Sequence, residues 1–539
     1  MKIFTAKLIL LGFTTFFIGC KDANTSDGTI TATEVDKTTL SEEQLYRPNF
    51  HFTPKANWMN DPNGMFYLDG VYHLFFQYYP DGNKWGPMHW GHATSTDLVS
   101  WKEQPIALYP DELGYIFSGS AVVDRNNTSG FGDGTNVPIV AIFTYHNPIK
   151  EKEGKIDVET QGVAYSLDNG KSWTKYENNP VLDNPGIRDF RDPKVIWDEE
   201  HQKWVMALAA HDRTQFYGSK NLKDWEFLSE FGAGTGAHGG VWECPDFFPM
   251  HVDGTSETKW VLLQSLNPGG PNGGSGTQYF IGDFDGKTFK MDPSFSEQLS
   301  TKKAIWIDYG KDNYAGVTWD NVPDGKRFFI GWMSNWLYAQ EVPTETWRSS
   351  MTLPRELKLI FSNGTYKLLS SPIGKLKNLY GQTIVKKDIV FKKKTVLLDS
   401  GNLDLSRLVI DIELKEMKDD KYTFTVENDK GNQLFFGIDN KDKYIFIDRK
   451  KSGKIDFSEA FSSKISRLPL NQNYETINLK LVFDKTSLEI FLNGGEMAMT
   501  ELFFPEVPYQ TLSVESSNKD CKIAILKANE INLTNNSNI

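Results

Sequence analysis

The chain has 539 residues, of which 39% are hydrophobic, 13% aromatic and 24% charged, an ordinary globular balance that excludes disorder as its main state. Lys and Arg total 58 against 70 Asp and Glu, and the net charge of −12 argues against nucleic acid or another polyanion as a partner. Three cysteines are too few for a disulfide framework, and neither zinc-spaced His/Cys clusters, a P-loop nor G-x-S-x-G is present, so metal, nucleotide and serine-hydrolase chemistry have no support.

In chain order, residues 1–20 read as a processing signal. Lys2 and Lys7 precede an apolar run from Leu8 to Ile18 that is too short for a permanent membrane span and ends at Gly19-Cys20. A Cys just after an apolar stretch and a small residue resembles a bacterial lipoprotein signal, with Cys20 as the lipidated residue. The expectation from this resemblance is a protein at the cell envelope that touches the membrane only through that anchor. The polar stretch over 21–45 reads as a flexible tether. From 46 to 380 short β-segments such as Val71–Gln77, Val137–Phe143 and Lys203–Leu208 alternate with Gly, Pro, Asn and Asp, and no long helical period interrupts them.

A weak repeat organises this region. A short polar turn precedes an aromatic in Ser95–Trp101, Ser166–Trp173, Ser219–Trp225 and, more loosely, Asp283–Phe289, with the aromatics 72, 52 and 64 residues apart. Units of roughly 65 residues would fit about five times into this stretch, the arithmetic of a five-bladed propeller of four-stranded blades, each repeat closing a hairpin. A large sandwich with chance Asp–Trp turns is the competing reading. Over 381–539 the text becomes Lys/Asp-rich with period-2 alternation, as in Leu408–Leu414 and Ile477–Phe483, the pattern of a β-sandwich. The expectation is an all-β chain, a five-bladed propeller followed by a C-terminal sandwich.

Three acids stand in unusual local text. Asp61 precedes Pro62 in Trp58–Gly64, and Asp192 precedes Pro193 in Arg188–Pro193; proline pushes the residue before it toward extended geometry. Glu243 lies between Trp242 and Cys244, an apolar setting that would favour a protonated carboxyl. Each has an ordinary explanation: a turn, a surface ion pair, a strand Glu bonded to a neighbouring blade. Together they fit glycoside hydrolysis, which needs one ionised carboxylate beside the anomeric carbon and one protonated carboxyl beside the leaving oxygen.

Trp58-Met-Asn-Asp-Pro-Asn-Gly64, Phe190-Arg-Asp-Pro193 and Trp242-Glu-Cys-Pro245 form an ordered set that resembles the signature of glycoside hydrolase family 32, the β-fructosidases. Further similar segments are Trp85–His92, Ile116–Ser120, Gly273–Phe280, Gly331–Trp336, Trp347–Glu356 and Ser487–Gly494, so that the resemblance spans roughly 50–515. It implies the same propeller and sandwich, and retaining hydrolysis of fructofuranosyl bonds without a metal or other cofactor. By the same resemblance Asp61 is the nucleophile, Glu243 the acid/base and Asp192 the stabiliser of the transition state, with Asn60, Gln77, Trp85, Phe117, Ser118, Arg191 and Trp336 lining the fructose pocket. The Gly-Gly before Val241 and the Gly273–Gly276 loop resemble the levanase and exo-inulinase branch. The expected substrates are levan or inulin, cut from the end, and sucrose; an endo-acting enzyme and a non-catalytic fructan-binding lipoprotein are the alternatives. One departure, Asn313 where the family commonly carries an aromatic, is expected to bear on the pocket rim.

Overall fold

The computed structural model describes residues 41–517 and 520–533; the signal over 1–20, with Cys20, and the tether up to residue 40 lie outside them. The last residues of the expected tether are ordered. Ser41 caps a helical turn over Glu42–Tyr46 with a reciprocal capping box, and Tyr46 is buried edge-on against Phe504.

Five sheets of four or five strands follow one another along the chain. Their innermost strands are Asn57–Leu68, Tyr115–Val123, Phe190–Asp198, Val241–His251 and Tyr314–Thr318. In each of the first four blades, the strands then run outward in sequence order. The ring closes through Trp347–Arg348, which pairs in parallel beside the first innermost strand.

The Asp–Trp repeat sits between the third and outermost strands of the first four blades. Its physical content is an Asx turn. A carboxylate or amide oxygen of Asp97, Asp168, Asn221 or Asp285 accepts two backbone N–H groups two to four residues on, at 2.7–3.1 Å. The fifth blade turns instead on Asn363-Gly364, both with positive φ, which suits a two-residue hairpin.

A second regularity faces the axis. Every innermost strand carries a register shift in which two of its residues oppose one of the next strand: Asn60-Asp61 opposite Gln77, Phe117-Ser118 opposite Thr144, Asp192-Pro193 opposite Leu208, Cys244-Pro245 opposite Gln264, and Ala315-Gly316 opposite Gly331. A bulge leaves a ladder position unpaired and re-aims side chains. Proline, which has no N–H to donate, is tolerated there.

Beyond the propeller, two six-stranded antiparallel sheets enclose a core of Leu, Ile, Val and Phe. A set of buried charges joins this sandwich to the propeller. His51 bonds Asp484 and Glu489, each at 2.9 Å; Arg355 bonds Glu489 at 2.6 Å and Asp308 at 2.9 Å; Arg449 bonds Asp312 at 2.6 Å and Glu501 at 2.9 Å. Asn313 belongs here and not at the pocket rim. Its side chain is buried, and its amide donates to Asp308.

Candidate active site

The bulges explain how three distant acids meet. Asp61, Asp192 and Glu243 come from blades one, three and four, each within or beside a bulge, and all three line one axial cavity of about 310 Å³. Asn60, Gln77, Trp85, Phe117, Ser118, Arg191 and Trp336 line it too, so the structure brings every residue singled out from the sequence for this pocket into one place. Asp192 and Cys244 hold positive φ, +66° and +46°, backbone that non-glycine residues adopt only where the surroundings enforce it.

Cys244 is the hinge of the arrangement. Its backbone N–H donates to Asp192 Oδ2 at 3.0 Å, and its Sγ lies 3.5 Å from both Asp61 Oδ2 and Asp192 Oδ2. Burial and the surrounding carboxylates push the thiol well above its usual range, so it stays an S–H donor. Ser118 Oγ donates to the same Asp61 oxygen at 3.2 Å, and Asp61 Oδ1 has no hydrogen-bond partner among the described residues. The amide nitrogen of buried Gln77 has no partner among the described residues either. Such groups suit a polar ligand that completes them.

Burial raises two of the acids. Burial, reinforced by the charge of Glu243, raises Asp61 to about 6. Burial raises Asp192 to about 7; the Arg191 guanidinium opposes that, while Glu243 and Asp61 add to it. Glu243 is pinned from two sides. Arg191 Nη2 donates to Oε1 at 2.9 Å, and the Tyr314 hydroxyl donates to Oε2. Burial and the neighbouring carboxylates push Tyr314 well above the ordinary phenol range, keeping its proton available. Arg191 is itself fixed by Asp189 at 2.8 Å and by Glu159 at 3.1 Å, and both carboxyls are held below their usual range against burial, chiefly by the charge of Arg191.

Tyr314, Glu159, Asp189, His146, Glu151 and Gln340 were not singled out from the sequence. Tyr314 had a signal, since it lies in Asp312–Ala315, a segment noted only for Asn313. Glu159 and His146 are cross-strand partners in blade two, and no spacing rule marks them in the linear text. The Gly273–Gly276 loop acts at one remove: a side chain at Gly274 would meet Asn335 Oδ1 at 2.1 Å, and Ser275 Oγ accepts the backbone N–H of Trp336 at 3.2 Å. Trp336 in turn stacks near Trp58, with ring centroids 5.9 Å apart.

Comparison with known proteins matches residues 51–372 to the N-terminal domain of glycosyl hydrolases family 32 and residues 375–530 to the C-terminal domain of the same family. The chain is 45% identical to a levanase of Bacillus subtilis over 489 residues, covering 90% of this chain and 70% of that protein. It is 39% identical to an extracellular exo-inulinase of Aspergillus niger, over 90% of this chain and 94% of that one. The crystal structure of an exo-inulinase from Aspergillus awamori superposes with a TM-score of 0.81 at 35% identity, covering 91% of this chain and 99% of that one.

Proposed function

The chain belongs to glycosyl hydrolases family 32, and from that membership we propose a division of labour among its three pocket acids in the hydrolysis of fructans. It is a glycoside hydrolase acting on fructans, with levan, inulin and sucrose as the substrate class. The observation that carries the proposal is the convergence of Asp61, Asp192 and Glu243 on one cavity, with one oxygen of Asp61 unpartnered among the described residues.

In this reading the terminal fructosyl ring rests against Asp61 and Asp192. Ionised Asp61 attacks the anomeric carbon through Oδ1, while Glu243 gives its proton to the leaving oxygen, so that the bond to the rest of the chain breaks as the Asp61 ester forms. Asp192 stabilises the positive charge that develops on the ring. Glu243, now ionised, takes a proton from water as that water attacks the same carbon, which releases fructose and regenerates Asp61. Arg191 and Tyr314 orient Glu243 through both steps.

We assign exo attack, because the lining comes from all five blades and the volume is at the small end of ligand pockets, dimensions suited to a chain end. Early-time chromatography of products from levan and inulin tests this: fructose alone is expected, and a ladder of oligosaccharides at low conversion would establish internal cutting. Lipid attachment at Cys20 is the second part of the proposal. A Cys20→Ala variant, produced in a bacterial host, should lose palmitate labelling; retained labelling would contradict it.

A further inference from the structure

Blade two contributes a feature that the mechanism above does not use. Between its second strand, which ends at His146, and its third, which begins at Glu159, the chain folds a helical turn over Pro148–Lys152. Asn147 caps it, its side-chain oxygen accepting from Ile149 N at 3.1 Å and Lys150 N at 3.0 Å. The turn sends Glu151 back over the strand end, with Oε2 3.1 Å from His146 Nε2, and Glu151 lines the same cavity as the three acids. Its side chain is 61% exposed, whereas that of Asp192 is 7% exposed. Glu151 therefore stands at the mouth, above a buried floor.

Two further observations give the position meaning. A polar chain runs from the acid/base to the mouth: Glu243 to Arg191 at 2.9 Å, Arg191 to Glu159 at 3.1 Å, Glu159 to His146 at 3.4 Å, and His146 to Glu151. Beside it, the Phe117 ring stacks on His146 with centroids 4.3 Å apart and planes 11° from parallel, and Trp85 meets Phe117 edge-on. An aromatic surface next to a carboxylate is the chemistry that holds a neutral sugar, the ring edge against the π face and a hydroxyl pair on the carboxylate oxygens. The fructosyl ring occupies the floor, and the leaving oxygen must lie at Glu243. The next sugar therefore leaves the floor from Glu243, where this chain of groups begins.

We propose that Glu151, beside the Phe117–His146 stack, is the specificity-determining contact for the sugar unit that carries the leaving oxygen. The proposal rests on the glycoside-hydrolase reading and adds to it where the leaving sugar is held. Glu151 is a binding contact, and its effect appears only with substrates whose leaving group is a sugar.

The test compares kcat/KM for a fructosyl oligosaccharide with that for β-D-fructofuranosyl fluoride, whose leaving group has no hydroxyls to grip, in the full chain and in Glu151→Ala. The oligosaccharide-to-fluoride ratio should fall about tenfold in the variant, the scale of one lost hydrogen bond to a charged group, with the loss mainly in KM. A ratio within twofold of the parent, whether both constants fall together or neither falls, or a fall in the ratio carried by kcat with KM unchanged, would overturn the proposal and leave the hydrolase reading intact. Failure of the unmodified chain to cleave either substrate would overturn both.

Discussion

At the scale of single residues, burial and mutual charge disfavour ionisation of Asp61 and Asp192. Asp61 is raised to about 6 by burial and then by the charge of Glu243, and as the proposed nucleophile it has to lose its proton to attack. Activity should therefore climb with pH through about 6, an apparent midpoint that belongs to the coupled acids as a set. With β-D-fructofuranosyl fluoride, which needs no proton donor, Glu243→Gln should move that midpoint to lower pH, because the charge that raises Asp61 is gone. A midpoint that stays in place or moves up in the pH–rate profile would contradict this account. The three acids were legible because each has local text that sets it apart: Asp-Pro, Asp-Pro, and Glu before Cys-Pro. Glu159 and Asp189, which steady Arg191, were not legible. Glu159 reaches Arg191 from the neighbouring blade and Asp189 reaches it from a turn with positive φ, neither of which leaves a local pattern.

At the scale of elements, the proline signals acquire a cause. Pro62 closes the first bulge, while Pro193 and Pro245 lie within the third and fourth, where a missing N–H costs nothing in the ladder. A strand-interior proline preceded by an acid or a thiol was thus a sequence mark of a re-aimed side chain. The bulges in blades two and five carry no proline and were silent. In blade two the requirement falls on Gly119, where a Cβ would meet the Ile142 carbonyl oxygen at 2.1 Å. The Asp–Trp repeat was legible for a different reason: an Asx turn needs its Asp or Asn at a fixed offset from the turn residues, so four hairpins repeat the same short text. The fifth blade uses Asn-Gly instead, which is why the repeat stops short of the full ring.

At the scale of the whole molecule, two segments that resemble the family yet lie outside the pocket find their place between propeller and sandwich. Trp347–Glu356 supplies Arg355, and Ser487–Gly494 supplies Glu489, which meet with His51 in a fully buried cluster. Nothing in the linear text announced that these segments face each other across the domain boundary. Burial lowers His51, but the two carboxylates outweigh it and raise the imidazolium to about 9. Between the ordinary histidine value and about 9 the folded protein holds a proton that the unfolded chain releases. That stability is complete below about 6.5 and is lost as pH rises through 9. Denaturant unfolding should lose on the order of 3 kcal/mol between pH 6.5 and 9.5. A His51→Gln variant should show a much smaller change over that window, and an equal loss in both would assign it to other groups.

In the proposed mechanism Asp61 becomes covalently bonded to fructose and Glu243 releases it. The most direct measurement is mass spectrometry of Glu243→Gln quenched during reaction with β-D-fructofuranosyl fluoride, which loads the nucleophile without an acid while the missing base slows hydrolysis of the ester. One anhydrofructose unit is expected on the peptide that contains Asp61, absent when Asp61→Asn is added. Steady turnover of the fluoride with no adduct, or an adduct on the peptide that contains Asp192, would contradict it.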